Sequence, residues 1–268
     1  MSAKAYLDSA ITLLREVLET QREAIEEAGR LCAEAIAGGG LIHVFGTGHS
    51  HILAEEGYDR AGGLLAVNPI LVGDLMLHEG GLRSGPLERL SGLAEVILNH
   101  EPVRRGDVLV VASNSGRNAA PVEMAQLARE RGVKVVGITS LQHSGSVPSR
   151  TPGGRRLFEV VDVVIDNRGV PGDAVLPVPG AREGMRMAAT STVTGAAIIQ
   201  AILAETVARL AATGAEVPIL MSANVEGADE HNERQLRRLG PRVPSLLARE
   251  VSRLVGAQEP EAEEAQDR

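Results

Sequence analysis

Val108-Leu109-Val110-Val111 leads directly into Ala112-Ser113-Asn114-Ser115-Gly116-Arg117-Asn118 and then into a helical pattern from Ala119 to Arg131. A strand that is apolar at every position has to be covered on both faces. A parallel sheet between layers of helices provides this, whereas a half-solvated antiparallel sheet does not. The turn that follows consists of hydroxyls, amides and one glycine. Between a buried strand and a helix start, it aims backbone N–H groups, serine O–H groups and a positive helix end at one point, an arrangement suited to a phosphate ester or similar anion. A second turn of the same design, Phe45-Gly46-Thr47-Gly48-His49-Ser50, follows the apolar run Leu41-Ile42-His43-Val44. Two such turns on neighbouring strands would outline one small, phosphate-bearing ligand.

The alternation continues along the chain. Further strands are predicted near 41–45, 64–67, 133–138 and 161–165, with a short one near 217–222. Helical patterns cover about 50–61, 86–98, 119–131 and 191–213. At the N-terminus, Leu7, Ile11, Leu14, Leu18, Ile25, Ala28, Cys32 and Ala35 form one helical stripe, interrupted by polar Gln21 and stopped by Gly38-Gly39-Gly40. This predicts a helix over 4–37, packed on its own domain or across a neighbouring subunit. Ser140 to Arg156 and Asn167 to Gly184 read as long loops, the second carrying Pro171, Pro177 and Pro179. Residues 1–256 read as a single domain and 257–268 as an acidic flexible tail.

Composition excludes several classes. A net charge of -8 argues against a nucleic-acid partner, because phosphate-backbone binding needs concentrated Lys and Arg. No apolar run reaches the ~18 residues of a membrane span, and no charged segment followed by an apolar core opens the chain, so no membrane partner and a cytoplasmic location are expected. The single Cys32 excludes an intrachain disulfide and reads as a small core residue on a helix face. With no Trp, two Tyr and two Phe, a sugar would be held by polar contacts and not by stacking platforms.

Gly46-Thr47-Gly48-His49-Ser50-His51 starts like the dinucleotide fingerprint, but His51 stands where its third glycine belongs. The next strand offers Val67-Asn68-Pro69, without the acidic residue that a ribose requires. No Gly-Lys-Ser/Thr ending occurs, so the phosphate loop of nucleotide hydrolases is absent too. What remains is a monophosphate site built from Ser50, Ser113 and Ser115. A third hydroxyl cluster, Thr190-Ser191-Thr192, opens the helix near 191; these residues either cap that helix or join the site. Ligands of open α/β sheets gather at the carboxyl ends of strands, where all three clusters are expected.

These residues resemble the sugar isomerase (SIS) domain family. Its members carry a glycine turn ending in serine after the first strand, here Gly46 to Ser50. A Ser-x-Ser-Gly turn follows a later strand, here Ser113-Asn114-Ser115-Gly116, with Asn118 standing where Thr is usual. A Thr/Ser-rich start to a late helix is also typical, here Thr190-Ser191-Thr192. The resemblance covers roughly residues 5–235. It implies a three-layer αβα sandwich with a parallel, about five-stranded sheet, assembly as a homodimer or homotetramer, and a sugar phosphate ligand held by Gly46, Gly48, Ser50, Ser113, Asn114, Ser115, Gly116, Asn118 and Thr190 to Thr192. Among SIS proteins the chain is most similar to a single-domain group related to phosphoheptose isomerases.

An aldose–ketose isomerase acts through an enediol and needs a base together with a donor for the oxygen charge that develops. Glu55 and Glu56, one helical turn past Ser50, are candidates, and each could equally lie on a solvated helix face. His49 and His231 are the histidine candidates, while His43, inside an apolar strand, reads as a core residue. In phosphoheptose isomerases and muramic acid phosphate etherases a catalytic glutamate lies about ten residues after the turn serine; here that position is Arg60. This departure counts against both of those exact activities and supports a non-catalytic phosphosugar sensor as the alternative to an isomerase; a sugar-phosphate ether lyase, which shares the fold, is a third reading without support at Arg60. Arg117 could help neutralise a phosphate, and His143 with Ser144 could touch or cover the sugar. His78, Glu79 and His231 are of types that ligate metals, but no H-x-x-x-H or C-x-x-C spacing accompanies them, so neither metal nor other cofactor is expected.

Overall fold

The computed structural model describes residues 1–214, 216–239 and 242–243. Five strands, β1 (Ile42–Gly46), β2 (Val67–Ile70), β3 (Val108–Ala112), β4 (Lys134–Thr139) and β5 (Val163–Asp166), form a wholly parallel sheet in the order β2-β1-β3-β4-β5. β1, β2 and β3 are buried at every position, as continuous apolar runs require. Pro69 is tolerated in β2 because that strand lies at the sheet edge, where a missing N–H leaves no neighbour unpaired.

Helices cover both faces, completing the three-layer αβα arrangement. On one face α2 (Arg22–Ala37), α3 (Ile52–Glu56) and α8 (Ser191–Ala212) pack on Ile42, Val44, Val108, Val110 and Ala112. On the other, α5 (Leu93–Asn99) and α6 (Ala119–Glu130) pack on Phe45, Leu109, Val111 and Val135. Successive strand residues thus alternate between two cores. α8 corrects the expectation that no segment is apolar enough to span a membrane: with a mean hydropathy of 1.4 over its best window, it meets that test by length and composition. Its buried residues Thr194, Ile198, Ile202, Thr206 and Leu210 recur at helical spacing and face the chain's own core.

The predicted N-terminal helix is two helices, α1 (Ala3–Thr20) and α2, broken at Gln21. The Gln21 side-chain carbonyl accepts a hydrogen bond from Asp166 N at the end of β5 (3.0 Å), a contact a continuous helix would not leave available. α1 and α2 both contact α8, and Tyr6 Oη donates to Ala189 O (3.1 Å). The segment predicted to be helical over 86–98 is divided by Gly92, in the left-handed region at φ 86°, into α4 (Leu77–Glu88) and α5. Ser140 to Arg156 contains α7 (Leu141–Ser146), opened by Ser140 Oγ accepting from His143 N (3.0 Å). The second predicted loop contains the antiparallel hairpin β6 (Ala174–Pro177) and β7 (Arg186–Ala189). The short strand expected near 217–222 is a single bridge, Leu64 to Ile219, and α9 (Ala228–Leu239) follows it. The predicted tail 257–268 lies outside the described residues.

Candidate functional site

The strand order reverses between β1 and β3. From β1 the chain moves outward to β2, then returns to the other side of β1 for the remaining strands, leaving a crevice at the carboxyl ends of β1 and β3. Register brings the two glycine-containing turns to that crevice, because Gly46 pairs with Ala112 and Ala112 with Ile138. A small cavity opens there, lined chiefly by His49, Ser50, Ser113, Asn114, Asn167 and Ser191, with Thr192 beside them and Leu53 and Ile138 as its apolar floor. Residues from all three predicted clusters therefore meet in one place.

Each turn has a local cause. A Cβ on Gly46 would stand 2.3 Å from the carbonyl oxygen of Ser50, so only glycine lets the chain fold back this tightly after β1. Gly48 takes the left-handed conformation at φ 56° and starts a 3-10 turn over Gly48–His51. In the second turn, Ser113 Oγ accepts from Gly116 N (3.2 Å), and Gly116 is again left-handed at φ 54°. The Asn114 carbonyl accepts from Ser140 N (3.1 Å) and its Oδ1 from Asn167 Nδ2 (2.9 Å), which ties the turn to the ends of β4 and β5. Ser115 is half-buried and makes none of the protein hydrogen bonds found among the described residues.

The third cluster is already engaged. Asp173 lays its carboxylate on the start of α8, accepting from Thr190 N (3.1 Å), Ser191 N (2.9 Å) and Ser191 Oγ (2.6 Å). The capping role considered for Ser191 thus falls to Asp173, which occupies the positive end of the helix. Thr190 Oγ1 is buried without a hydrogen-bond partner, whereas Thr192 lines the cavity. Neither Asp173 nor Asn167 stood out in the sequence. Asn167 had one usable signal, its position immediately after a buried strand.

The acid–base candidates separate. Glu56 receives Arg60 and Gln200 Nε2 (2.9 Å), which pins it away from the cavity. Glu55 is largely exposed and lies 3.5 Å from Nε2 of His51, a buried ring that also contacts Gly48 O and stacks obliquely on His78 at 5.7 Å. His231 is held by Ile219 O (2.8 Å) and Arg234 (3.1 Å) and does not line the cavity. His49 lines it and is the one imidazole among the lining residues. Among the described residues no three His, Cys, Asp or Glu side chains converge as metal ligands would.

His143, in α7, accepts from Gly172 N through Nδ1 (2.9 Å), which leaves the ring proton on Nε2. Burial favours its neutral form; Arg117 adds to this and Asp173 opposes it, with the net pKa below the usual histidine value. Cys32 is fully buried, and burial pushes its thiol up to about 12, which suits a packing residue.

The SIS domain family model matches residues 5–140. A UPF0309 protein of Geobacillus kaustophilus is 48% identical over 234 residues, covering 87% of this chain and 92% of that relative. A UPF0309 protein of Listeria innocua is 47% identical over 241 residues, covering 90% and 97%. Among solved structures, a phosphoheptose isomerase from Francisella tularensis superposes with a TM-score of 0.52 at 16% identity, covering 77% of this chain and 98% of that one. The phosphoheptose isomerase of Neisseria gonorrhoeae gives 0.50 at 20% identity, covering 75% and 94%. At those identities the likeness is one of fold. The match over more than half of the chain, supported by these near full-length relatives, places the protein in the SIS domain family.

Proposed function

We propose that the chain binds a sugar monophosphate in the cavity between β1 and β3 and interconverts its aldose and ketose forms. The observation that carries this reading is the convergence of Ser50, Ser113, Asn114 and Thr192 on one small cavity whose lining contains no carboxylate. The hydroxyl and backbone donors of Ser50 and Ser113 suit a phosphate ester, while Asp173 competes for Ser191, and the polar amides suit sugar hydroxyls. In the isomerisation a base takes the proton from the hydroxyl-bearing carbon beside the carbonyl, giving an enediol. The proton then returns to the former carbonyl carbon, and the adjacent hydroxyl becomes the new carbonyl. In this reading His49, which lines the cavity, carries that proton.

One observation favours a second reading, a phosphosugar sensor without chemistry. Glu56 is committed to Arg60 and Gln200, and Arg60 itself stands where related enzymes carry glutamate. The ether-lyase alternative loses the same glutamate and gains no residue in compensation.

A thermal-shift series of aldose and ketose phosphates, followed by NMR in deuterated water, separates these readings. A ligand at 100 times its dissociation constant should add about 2.7 kcal/mol of stability. The isomerase reading expects deuterium to enter at the carbons beside the carbonyl and to stop entering in His49→Ala. Binding without exchange assigns the sensor role, and stabilisation by no sugar phosphate at all removes both.

A further inference from the structure

Beyond the serine-lined cavity, the other end of the same turn carries an unpaired concentration of positive charge. Arg117 follows Gly116 and leads into α6. Its Nε is shielded from solvent and has no hydrogen-bond partner. Arg150 lies directly against it: Arg150 N donates to Arg117 O (2.8 Å), and the Arg150 guanidinium reaches Asn118 Oδ1 (3.3 Å). Asn118 therefore presents its side chain to Arg150 and does not cap α6, so the first N–H groups of that helix keep their ordinary need for an acceptor. Arg89, just past α4, adds a like charge that is felt at Arg117. Arg89, Arg117 and Arg150 form none of the ion pairs found among the described residues. Burial, then the charges of Arg150 and Arg89, hold the Arg117 guanidinium below its usual value.

Two adjacent arginines beside a helix N-terminus, neither in an ion pair, repel one another, and a shielded donor without an acceptor adds to the cost. An oxyanion at this point would resolve both. We propose that Arg117 and Arg150, supported by Arg89 and the start of α6, form a second anion pocket, and that it takes a further acidic group, a carboxylate or a second phosphate, of the sugar phosphate held by the serine turns. This rests on the phosphosugar reading of the cavity. Asn114, which lines the cavity, and Arg117 are three residues apart, so the turn separates the two sites by no more than about 11 Å of backbone, a span an extended hexose bearing an acidic group at each end can bridge.

Calorimetric titration of the full chain with four ligands tests this: a hexose 6-phosphate, the corresponding 1,6-bisphosphate, the 6-phospho-aldonate and inorganic phosphate. At about 0.1 M salt the bisphosphate or the phospho-aldonate is expected to bind at least tenfold more tightly than the monophosphate, as charge-assisted guanidinium pairing implies. Which of the two gains the advantage identifies the acidic group. In Arg150→Gln, an exposed substitution that spares the core, and in Arg117→Gln, the ratio should fall toward one. Equal affinities in the wild-type chain, or a ratio that survives both substitutions, would overturn the proposal. A failure of the underlying phosphosugar reading looks different: Ser113→Ala would leave every affinity unchanged, while inorganic phosphate still bound in a manner dependent on Arg150.

Discussion

The buried carboxylate of Asp107 accepts hydrogen bonds from Leu41 N (2.9 Å), Arg104 N (2.9 Å) and His43 Nε2 (3.1 Å), with Arg242 3.3 Å away. Asn68 donates to His43 Nδ1 (3.1 Å), so the His43 ring proton lies on Nε2, facing Asp107. Burial alone would raise the Asp107 pKa, but His43 and the two backbone N–H groups outweigh it and hold the carboxyl below its usual range. Its stabilising effect is therefore complete above about pH 4 and lost as pH falls through the lowered value. Asp107→Asn is expected to cost roughly 3 kcal/mol at pH 7, since several donors lose a charged acceptor. Urea denaturation should show that deficit shrinking at pH 3, and a deficit below about 0.5 kcal/mol at pH 7 would refute the account. Glu101 has the opposite sign, because burial pushes its pKa up. Part of this was legible in the sequence. His43 reads as a core histidine from its apolar neighbours, but a partner far along the chain leaves no local mark. The serines announced themselves because strand, turn and helix are contiguous there. Asp173 did not, because its contact with α8 depends on how the intervening hairpin folds back.

At the scale of elements, the start of α8 shows how a connecting segment controls a site. Asp173 adopts the left-handed conformation at φ 68°, which Asp tolerates better than most residues, and this turns its carboxylate onto Thr190 and Ser191. Asp173→Ala is expected to cost about 1 kcal/mol by removing the cap. It should also tighten phosphate binding, since an anion no longer sits at that helix end and Ser191 Oγ is free to donate. Denaturation curves paired with phosphate titrations check both effects, and weaker phosphate binding in the variant would show instead that Asp173 supports the site. The hairpin that positions Asp173 escaped the sequence reading because each strand has four residues and β6 ends in proline. α7 was hidden for a similar reason: six residues rich in Ser and Gly carry no apolar periodicity and rely on the Ser140 cap. The break at Gln21 was visible as a polar interruption, though its cause, the hydrogen bond to the end of β5, is tertiary.

For the molecule as a whole, the apolar strands and the helices between them made the layered parallel sheet legible, since those patterns are set by burial alone. Strand order was not legible in the same way, yet it is what converts separate turns into one cavity. The order β2-β1-β3-β4-β5 puts Gly46 beside Ala112, and the start of α8, held by Asp173, brings Ser191 and Thr192 to the same edge. If one ligand occupies that cavity, segments distant in sequence must respond together. Hydrogen exchange with and without the most stabilising sugar phosphate is expected to show added protection at residues 48–51, 115–120 and 191–193 at one common ligand midpoint. The strand interiors around Val44 and Val110, already buried and paired, should change little. Protection confined to residues 115–120 would mean that the second turn binds anions alone and that the strand order does not unite the three clusters in function.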